Sequence, residues 1–179
     1  MEIKTFYFNP YRECTYVVQH GQEVFIVDPG MYTAKEVERL MSYLHDNQLS
    51  PTTYLITHSH PDHICGVEAL ISHYPNIREV SYQTSVVNNQ LSVCGCQVIP
   101  TPGHKEDSVC YYFAEEKILF TGDTLFQESI GRTDLPGGDM SELIRSLKKL
   151  SELPDDTQVY PGHGYATTIG HEKEYNPYL

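Results

Sequence analysis

Tryptophan is absent from the 179 residues, and 12 lysines and arginines face 24 aspartates and glutamates, a net charge of −12. The basic residues stand singly except at Lys148-Lys149. No basic stripe exists to neutralise a nucleic-acid backbone, so nucleic acid is excluded as a partner. Long apolar runs are missing too. Nothing approaches the roughly 18 apolar residues that span a bilayer, and the opening MEIKTFYFNPYREC lacks the apolar centre of a secretory signal. The expectation is therefore a soluble, cytoplasmic protein without a membrane partner. Cysteine is sparse and odd in number (Cys14, Cys65, Cys94, Cys96, Cys110), which in that setting reads as a reduced set. Cys94 and Cys96, two apart in an expected strand, read as buried thiols on one face.

What is present is globular: 40% apolar and 20% charged residues, with 14 tyrosines. No linker or repeat divides the chain, so one domain over residues 1–179 is expected. Residues 3–8, 14–19 and 23–27 are β-branched and aromatic runs separated by turn residues, an opening meander. Asp28-Pro29-Gly30 breaks that pattern. Thr33 and Glu36 then form a capping box ahead of Val37, Leu40, Met41 and Leu44, predicting a helix over 33–47. A strand at 53–57 leads into a His-rich loop and a helix over 63–73. Strands are expected near 77–82, 92–99, 108–113 and 117–121, followed by an amphipathic helix from Asp139 and a strand at 157–160. The class is α/β.

Polar chemistry collects where strands end. His58, His104, Asp123 and His163 each follow an expected strand, in THSHPDH, TPGH, TGDT and YPGHG, and ligands of α/β proteins gather at such ends. The densest motif, His58-Ser59-His60-Pro61-Asp62-His63, has a chance expectation of about one in a thousand for this composition. Imidazole and carboxylate donors suit zinc, iron or manganese, and the absence of cysteine from these segments argues against a closed structural zinc site. Four adjacent ligands surround one ion poorly, so His104, His163 and Asp123 are the expected distant donors. Seven donors exceed one tetrahedral site but fit two divalent ions that share a carboxylate, with zinc favoured. His20, His45, His73 and His171 lack such a setting and read as surface residues.

These segments, in this order, resemble the ligand set of the metallo-β-lactamase superfamily. Ser129-Ile130-Gly131-Arg132-Thr133-Asp134 and the ending TTIGHEKEYNPYL are similar to short bacterial glyoxalase II-like hydrolases. The resemblance implies an αββα sandwich of two mixed β-sheets flanked by helices. It also implies His58, His60 and His104 on a first metal, Asp62, His63 and His163 on a second, and Asp123 between them. Arg132 and Asp134 are expected to pair and fix their loop beside the ligands. Three features depart from the pattern. No counterpart of the added helical domain of full-length glyoxalase II is expected here, which leaves glutathione unspecified as the thiol. Cys65 stands where the family usually has glycine and reads as a packed thiol; Lys105 stands where Thr or Ser is common and reads as solvated.

The expected reaction is hydrolysis of a small-molecule thioester by solvent-derived hydroxide, with Asp62 orienting the nucleophile. A thiol of pKa about 8.5 leaves without a strong proton donor, whereas an amine needs one. The alternatives are a mononuclear-iron persulfide dioxygenase, a lactone hydrolase and a non-catalytic metal-binding module.

Overall fold

The computed structural model describes residues 1–86, 88 and 91–179. Its first half is a five-stranded sheet in the order β1-β2-β3-β4-β5, built from Glu2–Phe8, Glu13–His20, Glu23–Val27, Thr53–Leu55 and Arg78–Val80. The first three strands are antiparallel, and β4 and β5 continue parallel to β3. The second sheet runs β13-β12-β9-β8-β7-β6. Its strands are β6 (Ser92–Val93), β7 (Cys96–Pro100), β8 (Val109–Phe113), β9 (Ile118–Gly122), β12 (Gln158–Pro161) and β13 (Thr167–Thr168). Short β10 (Leu125–Phe126) and β11 (Ser129–Ile130) pair with each other.

Side-chain alternation explains the layering. In β2, Tyr16 and Val18 face the second sheet while Val17 faces the helices, and in β8 Val109, Tyr111 and Phe113 face inward while Cys110 and Tyr112 face out. The central core between the sheets joins Phe25, Val27 and Leu55 to Val98 and Phe120. On the outer face of the first sheet lie α1 (Ala34–Asp46) and α3 (Val67–His73), which bury Leu40, Leu44 and Leu70. On the outer face of the second lie α5 (Met140–Ser151) and α6 (Ile169–Tyr175), through Leu143, Leu147, Leu150 and Ile169. The result is the expected αββα sandwich. Among the described residues no helix is long and apolar enough to cross a membrane.

Several element boundaries differ from the sequence reading. The helix expected over 63–73 is two pieces, α2 (Pro61–Ile64) and α3, broken at Cys65-Gly66. Gly66 donates its N–H to the Pro29 carbonyl there, leaving the helical ladder. Strand β4 ends at Leu55 because the Thr57 amide turns to the Asp28 carboxylate. The strand expected at 77–82 stops at Val80, since Ser81 caps a short helix α4 (Tyr82–Ser85) through a capping box. The strand expected over 92–99 is a hairpin with Cys94 and Gly95 at its turn, both at positive φ. Cys94 and Cys96 therefore do not share a strand face: Cys96 is buried, while Cys94 is half-buried beside Arg78.

Candidate metal centre

The topology brings the polar loops together. Strands β3 and β4 are parallel, so Asp28 and the His58–His63 loop emerge at one edge of the first sheet. Strand β7 is antiparallel to β8, which is antiparallel to β9, and β12 is parallel to β9. Strands β7, β9 and β12 thus deliver His104, Asp123 and His163 to one edge of the second sheet. Backbone bonds from Val109 to the Thr57 carbonyl and from Cys14 to the Gly162 carbonyl, both 2.8 Å, lock the two edges together. Tyr111 Oη donates across the core toward the Ile56 and Val80 carbonyls.

All seven predicted donors converge, as two groups. His58, His60 and His104 form one, Asp62, His63 and His163 the other, with ligand atoms within 4.8 Å of one another in each. Asp123 lies between them: Oδ1 is 3.4 Å from His63 Nε2, and Oδ2 is 3.5 Å from His104 Nε2 and 3.7 Å from His163 Nε2. Asp62 Oδ2 is 3.3 Å from His163 Nε2. Close packing depends on glycine. A Cβ on Gly162 would strike Asp123 Oδ1 and the His63 ring, and one on Gly131 would strike the Asp123 carbonyl.

Hydrogen-bond accounting tests whether cations fit. His104 Nδ1 lies 2.7 Å from the Arg132 carbonyl, an acceptor only, so it carries the proton and leaves Nε2 bare. Thr57 Oγ1 donates to Asp28 Oδ2 at 2.6 Å, so it accepts from His58 Nδ1, and His58 Nε2 is bare too. Both bare nitrogens point at His60 Nδ1, at 3.1 and 2.8 Å. One proton on His60 satisfies only one of them, whereas a cation satisfies all three. In the second group His163 Nδ1 donates to the Tyr11 carbonyl at 3.2 Å, leaving Nε2 to face the carboxylates. His63 Nε2 and Asp123 Oδ1 are buried without a hydrogen-bond partner, an arrangement that is costly unless an ion completes it. The donor set fits two divalent cations.

Asp28 is the site residue the sequence reading missed. It is 1% exposed, and its carboxylate accepts from the Thr57 amide (2.7 Å), Thr57 Oγ1 and His63 Nδ1 (2.9 Å). It therefore holds His63 with Nε2 turned inward. The available signal was its place directly after a strand, the rule that found the other four loops. Glu13 lies behind Asp28 and is fully buried. Thr15 Oγ1 lies within donating distance of both the Asp28 carbonyl (2.7 Å) and Glu13 Oε2 (2.9 Å). Burial, then the Asp28 charge, pushes the Glu13 pKa well up and favours the neutral acid. Glu13, Asp28 and His63 also form a compact group, but a neutral acid and a committed His63 Nδ1 make it a support, not a third ion site.

Other expectations resolve differently. Arg132 and Asp134 pair through two 2.7 Å bonds, but both are exposed; the link to the donors runs through the Arg132 carbonyl on His104. Lys105 is not freely solvated. Its Nζ bridges Ser59 Oγ (2.6 Å) and Asp107 (3.3 Å), tying the His104 loop to the His58–His60 loop. Cys65 is exposed, its thiol turned onto the Gly30 carbonyl. His45 and His73 are exposed, while His20 and His171 are half-buried against Glu116 and Glu128.

Proton affinities follow from this packing. Burial, reinforced by the neighbouring imidazoles, holds His58 well below 6.5, and burial with His104 lowers His60. Burial alone would depress His63, but Asp123, Asp28 and Asp62 outweigh it and raise His63 to about 9. His163 rises by the same competition, chiefly through Asp62. In the metal-free chain the raised pair contributes stability that is complete below about 6.5 and is lost as pH rises above it, for His63 through about 9. The depressed pair works oppositely, losing stability as pH falls below 6.5. Thermal unfolding in chelator is thus expected to show a midpoint maximum near neutrality. Cation uptake near pH 7 should release protons from His63, read as a buffer-dependent calorimetric heat, and occupancy should fall in acid. Unchanged occupancy at pH about 5 would contradict a site built on imidazoles.

Comparison with known proteins places these features in a group. The model of the metallo-beta-lactamase superfamily matches residues 13–85 and 96–163. A hydroxyacylglutathione hydrolase of Francisella tularensis subsp. novicida is 32% identical over 92% of this chain and 68% of its own length. The solved structure of the BLEG-1 B3 metallo-beta-lactamase is 34% identical, with TM-score 0.86, covering 99% of both chains. That of TTHA1623 in a di-iron-bound form is 31% identical, with TM-score 0.87, over 98% of this chain and 100% of the other.

Proposed function

Because the chain belongs to the metallo-β-lactamase superfamily, we propose that it is a metal-dependent hydrolase that cleaves a small-molecule thioester. The observation that carries the reading is the pair of His and carboxylate groups sharing Asp123, with buried His63 Nε2 and Asp123 Oδ1 left unpaired. His58, His60 and His104 would hold one cation and Asp62, His63 and His163 the other, with Asp123 reaching both. When bound, such cations polarise a carbonyl and acidify water toward a pKa near 7. Zinc is the favoured occupant, and the di-iron form of TTHA1623 keeps iron in the test.

The protein's own groups set the rest. Asp62, part-exposed beside His163, can accept a hydrogen bond from water and so aim the water's lone pair at a carbonyl carbon. Beside His163 lies a cavity of about 390 Å³ lined by Tyr7, Tyr11, Arg12 and Tyr165. The Arg12 guanidinium stacks over Tyr7, 5.1 Å from the ring centroid, and suits one polar or anionic arm of the substrate. The leaving group follows from what the site lacks. Among the described residues, the Nδ1 protons of His58, His63, His104 and His163 are all committed to oxygen acceptors. No spare acid is aimed inward for an amine, and a thiolate needs none.

The test is elemental analysis of the purified protein combined with turnover of matched thioesters, lactones, carboxamides, β-lactams and glutathione persulfide. Two metals per chain and a kcat/KM for thioesters about a hundredfold above the matched carboxamides are expected. A single iron with sulfite formed from the persulfide would overturn the reading in favour of a dioxygenase.

A further inference from the structure

A thioester has two arms diverging from its carbonyl, and the tyrosine and Arg12 cavity beside His163 accounts for one. A second, larger cavity of about 450 Å³ reaches the opposite group of donors, with His58 and Ser59 in its lining. Its walls are apolar, formed by Ile56, Ile64, Val67 and the Tyr54 ring. Its charged lining is Glu68, Glu79 and Asp107, with no lysine or arginine among the lining residues.

The three carboxylates are not equivalent. Asp107 is neutralised by Lys105 at 3.3 Å, and the same Nζ holds Ser59, so the end nearest the donors is balanced. Glu68 and Glu79 make no ion pair among the described residues. Glu79 is nonetheless fixed: Tyr54 Oη donates to Oε2 at 2.9 Å and Ser81 Oγ to Oε1 at 2.7 Å. Both bonds come from buried residues and hold the carboxylate in place. An apolar cavity that carries an oriented carboxylate without an ion-pair partner complements an alkyl stem with a positive end, and repels a carboxylate.

The geometry points to a bipartite substrate in which the arm on the His58 side is an apolar chain ending in a protonated amine, bound between Glu79 and Glu68. The assignment of this ligand as a substrate arm rests on the thioester reading above. The cavity's preference for the cation does not. The two cavities then impose direction: an anionic arm is drawn toward Arg12 and away from Glu79, so the carbonyl between them is presented in one orientation.

The metal-loaded full chain is titrated with n-pentylammonium, n-pentanol and pentanoate, followed by backbone amide NMR. The expected result is saturable n-pentylammonium binding about tenfold or more tighter than n-pentanol, with shifts at Tyr54, Ser81 and Tyr82 and none from pentanoate. Glu79→Gln keeps an oxygen for Tyr54 to donate to, and should bring the ammonium-to-alcohol ratio close to one. Glu68→Gln, at an exposed helix position, should lower the same ratio without risk to the fold. Equal binding of the alcohol, preferred binding of pentanoate, or no saturable binding overturns the assignment. In parallel, thioesters with an ammonium-ended or methyl-ended arm, on the acyl or the thiol side, are compared by kcat/KM. A preference of about tenfold for the ammonium in one series, lost in Glu79→Gln, supports the bipartite substrate; no preference in either series overturns it. If n-pentylammonium binds as expected and no thioester is cleaved, the hydrolase reading fails while the cavity's ligand class stands.

Discussion

Replacing Asp123 with alanine is expected to lower metal content from two ions per chain toward one or fewer. Turnover should fall by about a thousandfold, the upper range for losing one group that stabilises transition-state charge. The reason is position. Oδ1 faces His63 and Oδ2 faces both His104 and His163, so its two oxygens are placed between the two donor groups. The carboxylate is also the first of the charges that lift His63 against its burial. The variant should therefore lower the His63 pKa in the metal-free chain, visible as an NMR titration shifted toward acid. That second readout separates loss of a shared donor from general damage, since a misfolded variant would lose the titration altogether. Two retained ions with wild-type turnover would remove the shared role from Asp123.

The sandwich and the donor set were legible in the sequence for different reasons. Alternation in residues 14–19 and 23–27 and the capping box at Thr33 and Glu36 report local preferences that burial only reinforces, and those elements appear where expected. The seven donors stood out because imidazoles are rare and four loops repeated one placement, after a strand. What escaped was set by tertiary partners. The break at Cys65-Gly66 exists because Gly66 bonds to Pro29, far away in sequence. The early end of β4 and the turn to α4 follow from Asp28 and from the Ser81 cap. Periodicity cannot register a bond to another sheet. The role given to Arg132 and Asp134 was half legible: the ion pair is local and forms, but the group that orients His104 is a backbone carbonyl, which no side-chain pattern announces.

Asp28 shows how much a single unread residue carries, and its replacement by alanine is the second large effect expected. Its carboxylate accepts three hydrogen bonds in an almost fully buried position. Alanine would strand the Thr57 amide and hydroxyl and free the His63 ring to rotate. Partners that orient metal-binding histidines typically change affinity or activity by about 10–100-fold, and that loss is expected for the cation held by Asp62, His63 and His163. The other group should suffer less, through Thr57 alone, because His58 leans on Thr57 Oγ1 at 3.1 Å and His104 does not depend on Asp28 at all. Chelator competition should therefore resolve one strongly weakened site and one mildly weakened site. Stability should fall as well, by about 3 kcal/mol or more, since three buried donors lose their acceptor together. Asp28→Asn provides the finer discrimination. The amide preserves volume but has one acceptor oxygen, so it can serve either the Thr57 amide or His63 Nδ1, with its NH₂ opposing the other donor. If that variant binds both cations as tightly as the wild type, His63 is held by its packing, and the carboxylate behind it has no part in orienting the centre.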